Sequence, residues 1–195
     1  MIIEEIVRRL AENSSSRIAV FIRHGEKDNS SSGPAIITEQ AKKDAAAMGL
    51  LLRDFNIPVK VYSSPELRCM QTAKIINRKI SGANNDIILT SFLGRPGIQV
   101  KDNKRYLDIF DKSDARKIYS QWKSGQHYDA LRTIEELRSE LTSFLEAVCA
   151  ESKISLFISQ SGTVAALSYA LGVSDYDIEK KEWVPFLDGF VIACQ

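Results

Sequence analysis

The sequence predicts an α/β protein, a three-layer α/β/α sandwich with a mainly parallel central sheet. Short apolar segments typical of buried strands alternate along the chain with helical patterns. Polar side chains follow several of these segments, at the edge where open α/β sheets bind their ligands. The 195 residues, 44% of them hydrophobic, are enough for one sizeable core, so a single domain over residues 1–195 is expected.

The first half of the chain begins with a predicted helix over residues 1–14. Its apolar residues at positions 2, 3, 6, 7 and 10 form one stripe, which we expect to dock on the domain. Thr38 can cap the second helix, and Pro65 suits the first turn of the third. The elements predicted here are a strand over 17–22, a helix over 38–54, a strand over 59–62, a helix over 65–80 and a strand over 86–90.

The second half of the chain continues the alternation. Periodicity predicts two helices, over residues 104–123 and 129–150, followed by a strand over 154–158. A helix over 162–172 and a last strand over 188–193 complete the chain. No internal repeat and no linker that would separate a second domain is visible.

Charge and cysteine content exclude several classes of function. Lysine plus arginine (26) nearly cancels aspartate plus glutamate (25), so neither a nucleic acid nor a membrane is expected as partner. The three cysteines have no zinc-ligand spacing and an odd number, which argues against a disulfide framework and a metal site. No cofactor is implied, the location predicted is cytoplasmic, and the oligomeric state stays open.

Three chain segments carry the residues that can bind an anion. Arg23 and His24 directly follow the first strand, Arg68 falls in the first helical turn after the second strand, and Gln160 and Ser161 follow the strand over 154–158. Guanidinium groups bind phosphate bidentately, and helix N-termini add N–H donors. We therefore expect these segments to converge on a phosphoryl group.

The chain resembles the histidine phosphatase superfamily, the phosphoglycerate mutase-like enzymes. The resemblance rests on three segments: Arg23-His24-Gly25-Glu26, the run Ser63-Ser64-Pro65-Glu66-Leu67-Arg68-Cys69-Met70-Gln71-Thr72-Ala73, and Ile158-Ser159-Gln160-Ser161-Gly162-Thr163. It implies a phosphoglycerate mutase-like fold, His24 as the nucleophile that forms a phosphohistidine, and Arg23 and Arg68 as the clamp on the phosphoryl oxygens. No metal is needed for this chemistry.

The third segment departs from the family pattern, because Gln160 stands where the family has a second histidine. The two positions that usually supply the proton donor also lack a carboxylate: residues 89–94 contain none, and Ser161 follows Gln160. Glu26 and Asp28 are the nearest candidates in sequence, with Glu182 and Asp188 behind them. His127, in a polar turn between helices, is expected at the surface and is a poor substitute for the missing histidine.

Two functions remain open at this point. One is a phosphohydrolase, weakened by Gln160, that acts on a phosphomonoester, a phosphoprotein or an activated phosphate such as an acyl phosphate. The alternative is a catalytically impaired pseudo-phosphatase that binds a phosphorylated ligand as a regulatory module. A structural domain without a ligand is disfavoured, because cations gathered at strand ends are unfavourable without an anion. The sequence does not identify the substrate.

Overall fold

The computed structural model describes residues 2–12, 17–28, 36–82, 86–176, 180 and 182–194. Within these residues, five strands form one sheet: β1 (Arg17–Arg23), β2 (Val59–Ser63), β3 (Ile88–Leu89), β4 (Ile154–Ser159) and β5 (Gly189–Cys194). The helices are α1 (Ile2–Glu12), α2 (Glu39–Asp54), α3 (Leu67–Ser81), α4 (Asn103–Phe110), α5 (Ala115–Lys123), α6 (Ile134–Val148) and α7 (Ser161–Ala170). Two short 3-10 turns lie over Ser91–Leu93 and Cys149–Glu151.

The strand order across the sheet is β3-β2-β4-β1-β5. β1 and β2 both pair in parallel with β4, and β3 pairs in parallel with β2. Only β5, on the outer side of β1, runs antiparallel among these strands. The carboxyl ends of β1, β2 and β4 therefore meet at one edge of the sheet, as the sequence predicted.

Alternation along β1 places side chains in the two halves of the core. Ile18, Val20 and Ile22 pack on one face of the sheet, together with α1, α2 and α3. Ala19 and Phe21 face the other side, where α5, α6 and α7 pack. The sheet thus lies between two helical layers, and the predicted three-layer fold is confirmed.

An aromatic row crosses the sheet on the side of α5, α6 and α7. Tyr62, Phe157, Phe21 and Phe190 come from β2, β4, β1 and β5, and their neighbouring ring centroids lie 4.8, 4.6 and 4.9 Å apart in that order. Stacked rings of this kind stabilise a sheet beyond the area they bury. The row packs across β2, β4 and β1, whose ends hold the predicted site residues, and across the neighbouring β5.

The predicted helix over 104–123 is wrong, because the structure divides it into α4 and α5. Asp114 is the N-cap of α5, and its side chain accepts hydrogen bonds from the backbone N–H groups of Arg116 and Lys117. An aspartate favours a cap over a helix interior, and here it starts a new helix.

Other boundaries differ by a few residues. α6 begins at Ile134 rather than at 129, because Thr133 and Glu136 form a reciprocal capping box. β3 has two residues instead of five, since only Ile88 and Leu89 pair with β2. α1 ends at Glu12, and residues 13 and 14 of the predicted N-terminal helix lie outside the described residues.

The argument against disulfide bonding from the odd number of cysteines is also wrong, because Cys149 and Cys194 form a disulfide. Cys149 lies at the end of α6, just before β4, and Cys194 ends β5. Both strands pair with β1, and their registers bring the start of β4 and the end of β5 to the same edge of the sheet. An odd number of cysteines leaves one unpaired, which here is the buried Cys69.

No helix among the described residues is both long enough and apolar enough to cross a membrane.

Candidate active site

The ends of β1 and β4 hold two of the three predicted site segments side by side, the one with Arg23 and His24 and the one with Gln160. Arg23 lies opposite Ser159 in the parallel ladder, and the backbone N–H of His24 donates to the Ser159 carbonyl at 3.0 Å. The N–H of Ser64, just beyond β2, donates to the carbonyl of Ile158 at 2.9 Å. The ladder therefore extends one residue past the strands and fixes the backbone on which His24 and Gln160 stand.

His24 is buried, with 4% of its surface exposed, and both of its ring nitrogens are engaged. Nδ1 lies 2.6 Å from the Gly25 carbonyl oxygen, and Nε2 lies 2.8 Å from Nε of Arg68. A carbonyl can only accept and a guanidinium can only donate, so the proton is on Nδ1 and the lone pair is on Nε2. Nε2 thus carries the lone pair, and it faces Arg68.

The pKa of His24 is lowered from its usual 6.5 to about 3, chiefly by burial and in smaller part by the positive charges of Arg68, Arg23 and Lys27, while the hydrogen bond to Gly25 acts in the opposite direction. The imidazole is therefore neutral at physiological pH. A neutral imidazole is the form that can attack phosphorus.

This pKa predicts how stability depends on pH. The unfolded chain binds a proton at His24 below pH 6.5, whereas the folded protein does so only near pH 3, so His24 makes stability fall as the pH drops through that window. We expect urea unfolding to show a steeper loss of stability between pH 6.5 and 4 for the native chain than for His24→Asn. An NMR titration in which the His24 ring titrates with a midpoint near 6.5 would contradict this.

Thr72 hydrogen bonds the start of α3 to the segment after β1, and this positions Arg68 next to His24. The Thr72 hydroxyl accepts from the Gly25 N–H at 3.0 Å and donates to the Arg68 carbonyl at 2.8 Å. Arg68 is half-buried, and burial lowers the pKa of its guanidinium. One threonine thus sets the distance between the guanidinium and the imidazole.

Gln160 completes the group through its amide oxygen. Oε1 accepts from Arg68 Nε at 3.1 Å and also from Nη2 of the same guanidinium. The amide nitrogen donates to the Sγ atom of Cys69 at 3.4 Å. Gln160 therefore points an acceptor, not a donor, at Arg68. We call Arg23, His24, Arg68 and Gln160 the cationic cup.

The guanidinium of Arg23 is held by the segment before β5. Nη1 donates to the Val184 carbonyl at 2.8 Å, and the Phe186 ring lies 3.6 Å from the guanidinium carbon. Nε is buried without a hydrogen-bond partner. Burial lowers the pKa of Arg23 to about 10, with smaller effects from Arg116 and Arg68. A buried, unpaired donor of this kind is ready to bind an anion.

Two further cations near the cup were missed by the sequence reasoning. Arg116, at the start of α5, lies close enough to lower the pKa of Arg23, and Arg95 does the same to Arg68. Both side chains are exposed. They come from the region over 91–150, where no motif was visible and where a lone arginine gives no signal of its own.

None of the four predicted carboxylates bonds to the His24 ring, whose nitrogens contact Gly25 and Arg68. Glu26 and Glu182 are exposed, and a side-chain oxygen of Asp188 accepts from the Gly189 N–H at 2.9 Å. The Asp28 N–H donates to the Ile36 carbonyl at 2.8 Å. Both ring nitrogens of His24 bond to other groups, so the structure does not bring any of these four onto the imidazole.

Glu66, just before α3, was not among the predicted carboxylates. One of its oxygens is buried without a hydrogen-bond partner, and its charge acts on Arg68. It lies inside the Ser64-to-Arg68 segment, so the motif contained it but gave it no role.

The last two predicted positions are Ser161 and His127. Ser161 begins a helix whose N–H groups can bind an anion, whereas His127 does not replace the missing histidine. Ser161 is the first residue of α7, whose N-cap Gln160 makes no capping hydrogen bond, so the first-turn N–H groups remain available to an anion. His127 hydrogen bonds to Gln121 Oε1 at 3.0 Å and does not join the cup.

In the part of the chain that the structure describes, no group of three or more histidine, cysteine, aspartate or glutamate side chains could hold a metal ion. The cup itself offers one imidazole, two guanidinium groups and one amide. Guanidinium groups repel cations and bind oxyanions, so this arrangement suits a phosphoryl group.

Comparison with known protein families gives one match over most of the chain. The model of the histidine phosphatase superfamily (branch 1) matches residues 19–183. That range contains all three segments that meet at the cup. Among curated protein sequences, none matches the chain significantly.

Solved structures with the same fold include three phosphatases. The protein histidine phosphatase SixA complexed with tungstate is 15% identical, with a TM-score of 0.54 over 90% of this chain and 86% of that one. A phosphoserine phosphatase mutant from Entamoeba histolytica in complex with phosphoserine is 14% identical, with a TM-score of 0.56 over 92% and 95%. A mycobacterial glucosyl-3-phosphoglycerate phosphatase is 18% identical, with a TM-score of 0.51 over 80% and 79%. At these identities the similarity shows the fold alone.

Proposed function

The chain belongs to the histidine phosphatase superfamily, and from this we propose that it is a phosphohydrolase that works through a phosphohistidine at His24. The observation that carries the proposal is the lone pair on Nε2 of a buried, neutral imidazole, placed against the guanidinium of Arg68. A nucleophile and its phosphate-binding cation are thus already in contact.

The first chemical step transfers the phosphoryl group to His24. Nε2 attacks phosphorus, the Nε2–P bond forms, and the bond from phosphorus to the leaving oxygen breaks with its electron pair on that oxygen. Arg68 and Arg23 bind the phosphoryl oxygens, and the first turn of α7 at Ser161 adds N–H donors. Because Arg68 lies on Nε2, it has to swing toward the phosphoryl oxygens before the attack.

The second step returns the enzyme to its starting form. Water attacks the phosphohistidine, the Nε2–P bond breaks with its electrons on nitrogen, and inorganic phosphate leaves. The Nδ1–H bond to Gly25 stays in place throughout and stabilises the charge on the phosphorylated ring.

The leaving oxygen needs a proton, and Glu26 is the residue we propose to supply it. Its charge acts on Arg23, beside the nucleophile, but the side chain is exposed and is not held against the imidazole. Proton transfer from such a position is inefficient, since general acid catalysis requires hydrogen-bond reach. We therefore propose weakened turnover of substrates with a poor leaving group.

The experiment that tests the proposal is the capture of the covalent intermediate. The protein is mixed with a 32P-labelled aryl phosphate, quenched in alkali and digested, and the label is located by mass spectrometry. Phosphohistidine at His24 supports the enzyme. A site that binds vanadate but never acquires label contradicts it and favours the alternative.

That alternative, a pseudo-phosphatase that binds a phosphorylated ligand as a regulatory module, is favoured by one specific contact. Gln160 Oε1 holds Arg68, and Arg68 in turn occupies Nε2 of His24. A nucleophile covered by its own phosphate-binding cation binds anions more readily than it attacks them.

Gln160→His is expected to raise hydrolysis of an aryl phosphate about tenfold, because a charged hydrogen bond is worth about 1–2 kcal/mol more than a neutral one. The change also removes the amide oxygen that holds Arg68. Steady-state kcat/KM is the measurement, with Gln160→Met as the matched control that frees Arg68 without adding a donor. If both variants stay as slow as the native chain while still binding vanadate, the catalytic role of this position is refuted.

We propose further that the whole chain acts as one phosphoglycerate mutase-like domain on a phosphorylated small molecule or a phosphoprotein. A cytoplasmic location stays a prediction, and the disulfide between Cys149 and Cys194 removes the argument from unpaired cysteines. The oligomeric state stays open.

A further inference from the structure

A cleft opens directly beside the cationic cup, between the loop over 94–99 and the helices α4, α5 and α7. Gln160 and Ser161 line both the cup and the cleft, so the two form one continuous site. The space open to the centres of water-sized spheres is about 70 Å³. At about 30 Å³ per molecule, that is the volume of about two water molecules. The cleft is also partly open to solvent, so a ring can enter it from the open side.

The walls of the cleft present carbon atoms. Trp122 and Tyr119 line it, but Trp122 Nε1 donates to the Arg132 carbonyl at 2.7 Å and the Tyr119 hydroxyl to Asp175 at 3.3 Å, two residues outside the lining. With their polar atoms engaged elsewhere, the two rings offer apolar surface to the cleft. Ile118 and Leu131 complete that surface.

Polar side chains also line the cleft, namely Arg95, Gln99, Tyr106, Gln160, Ser161 and Thr163. Gln99 donates through its amide nitrogen to the Thr163 hydroxyl at 3.3 Å, while its Oε1 is buried without a partner. The guanidinium of Arg95 lies 4.1 Å above the Phe110 ring. An aromatic ring with one or two polar substituents fits this lining, since it can contact Trp122 and Tyr119 and still pair with the polar side chains beside them.

The absence of a carboxylate on His24 among the described residues also favours an aromatic ligand. No carboxylate is held against His24, so the leaving group has to depart without efficient protonation. A phenol has a pKa of about 10, as in tyrosine, and its oxide is a far better leaving group than the oxide of an ordinary alcohol. An aryl phosphate thus suits both the cleft and the chemistry of the cup.

We propose that the substrates of this site are phosphomonoesters of phenols, with the aromatic ring in the cleft and the phosphoryl group in the cationic cup. The inference rests on the proposed function and specifies its substrate class. In the transfer step the Nε2–P bond forms and the P–O(aryl) bond breaks. The aryl oxide leaves with the electron pair and takes its proton from water.

Calorimetry on His24→Asn, which we expect to bind the ligand without turning it over, tests the binding half of the inference without catalysis. Phenyl phosphate is expected to bind about tenfold or more tightly than methyl phosphate, because only the phenyl ring buries apolar area in the cleft. Free phosphotyrosine and a phosphotyrosine peptide serve as further ligands that separate a small-molecule substrate from a protein one. Equal affinity for phenyl and methyl phosphate would overturn the inference.

Two variants on α5 test whether the preference for phenyl phosphate over methyl phosphate depends on the cleft. Ala115 is half-buried and lines the cleft, opposite Gly162 of α7, so Ala115→Phe fills the space where the ring is proposed to bind. Ser120 is exposed on the same helix and does not line the cleft, which makes Ser120→Phe the matched control. We expect the preference for phenyl phosphate to fall to about twofold or less in the first variant and to stay unchanged in the second. An unchanged preference in both refutes the cleft as the ring site.

Phosphohistidine formation and hydrolysis rates distinguish a failure of this inference from a failure of the proposed function. If phenyl phosphate binds preferentially but no phosphohistidine forms, the ring site stands and the enzyme proposal fails. If methyl phosphate is hydrolysed at least as fast as phenyl phosphate, the enzyme proposal stands and the aryl substrate class fails.

Discussion

His24→Asn is expected to lower kcat for aryl phosphate hydrolysis about a thousandfold or more, because losing the nucleophile of a covalent mechanism removes the reaction path itself. Affinity for vanadate should change much less, since Arg68 and Arg23 stay in place to bind its oxygens. The measurements are steady-state kinetics, covalent labelling with a 32P-labelled aryl phosphate, and calorimetry with vanadate.

His127→Asn is the matched control for this change. His127 hydrogen bonds to Gln121 and has a positive φ of 64°, a conformation that asparagine adopts readily. We expect that variant to keep the native kcat and the native labelling. A His24→Asn protein that still hydrolyses the substrate at a native rate would show that the phosphoryl group never rests on residue 24.

The convergence of the site segments could be predicted from sequence because it depends on strand order and on local motifs. Each of the segments that end in Arg23, Ser63 and Ser159 is a short apolar run followed by a polar residue, and parallel strands place such ends at one edge. α3 begins at Leu67, after its N-cap Glu66, and this start brings Arg68 to the same edge. Pro65 precedes the cap, so the expectation that it lies in the first turn is wrong.

The contacts inside the cup could not be predicted in the same way. The sequence does not show that the side chains of Gln160 and Arg68 hydrogen bond to each other. Once they do, the amide oxygen has to face Arg68, because a guanidinium can only donate, and the amide nitrogen donates to Cys69. That Gln160 binds a phosphoryl group stays a prediction.

The cleft was invisible to sequence reasoning for a different reason. Its wall is built from α4 and α5, which the periodicity merged into one helix over 104–123. Only the break at Asp114 turns Ile118 and Trp122 of α5 toward α7. A wrong helix boundary thus hid the part of the molecule that bears on substrate choice.

The chain of hydrogen bonds from Gln160 through Arg68 to His24 makes phosphate binding a competition. An incoming phosphoryl group has to offer Arg68 more than the imidazole nitrogen and the amide oxygen do. A doubly charged phosphomonoester does so, because it adds the attraction of opposite charges to the hydrogen bonds, whereas the imidazole and the amide are neutral acceptors. Arg68 therefore couples ligand binding to exposure of the nucleophilic lone pair.

Arg68→Ala is expected to weaken vanadate binding at least about a hundredfold, because two hydrogen bonds to charged groups at about 1.5–3 kcal/mol each are lost. Hydrolysis should fall by at least the same factor. The pKa of His24 should rise, since the positive charge of Arg68 is one of the causes that lower it, yet it should stay below 6.5 because burial is the largest cause. Calorimetry, kcat/KM and an NMR titration of the His24 ring measure the three effects.

Two further arginine variants separate the guanidinium of Arg68 from general effects of charge. Arg68→Lys keeps the positive charge but loses the planar pair of donors, so we expect it to recover only part of the affinity. Arg78→Ala removes an exposed arginine from the last turn of the same helix and should leave binding unchanged. If Arg68→Ala bound vanadate as tightly as Arg78→Ala, the oxyanion would not lie between Arg68 and His24, and neither the phosphatase nor the pseudo-phosphatase model could stand.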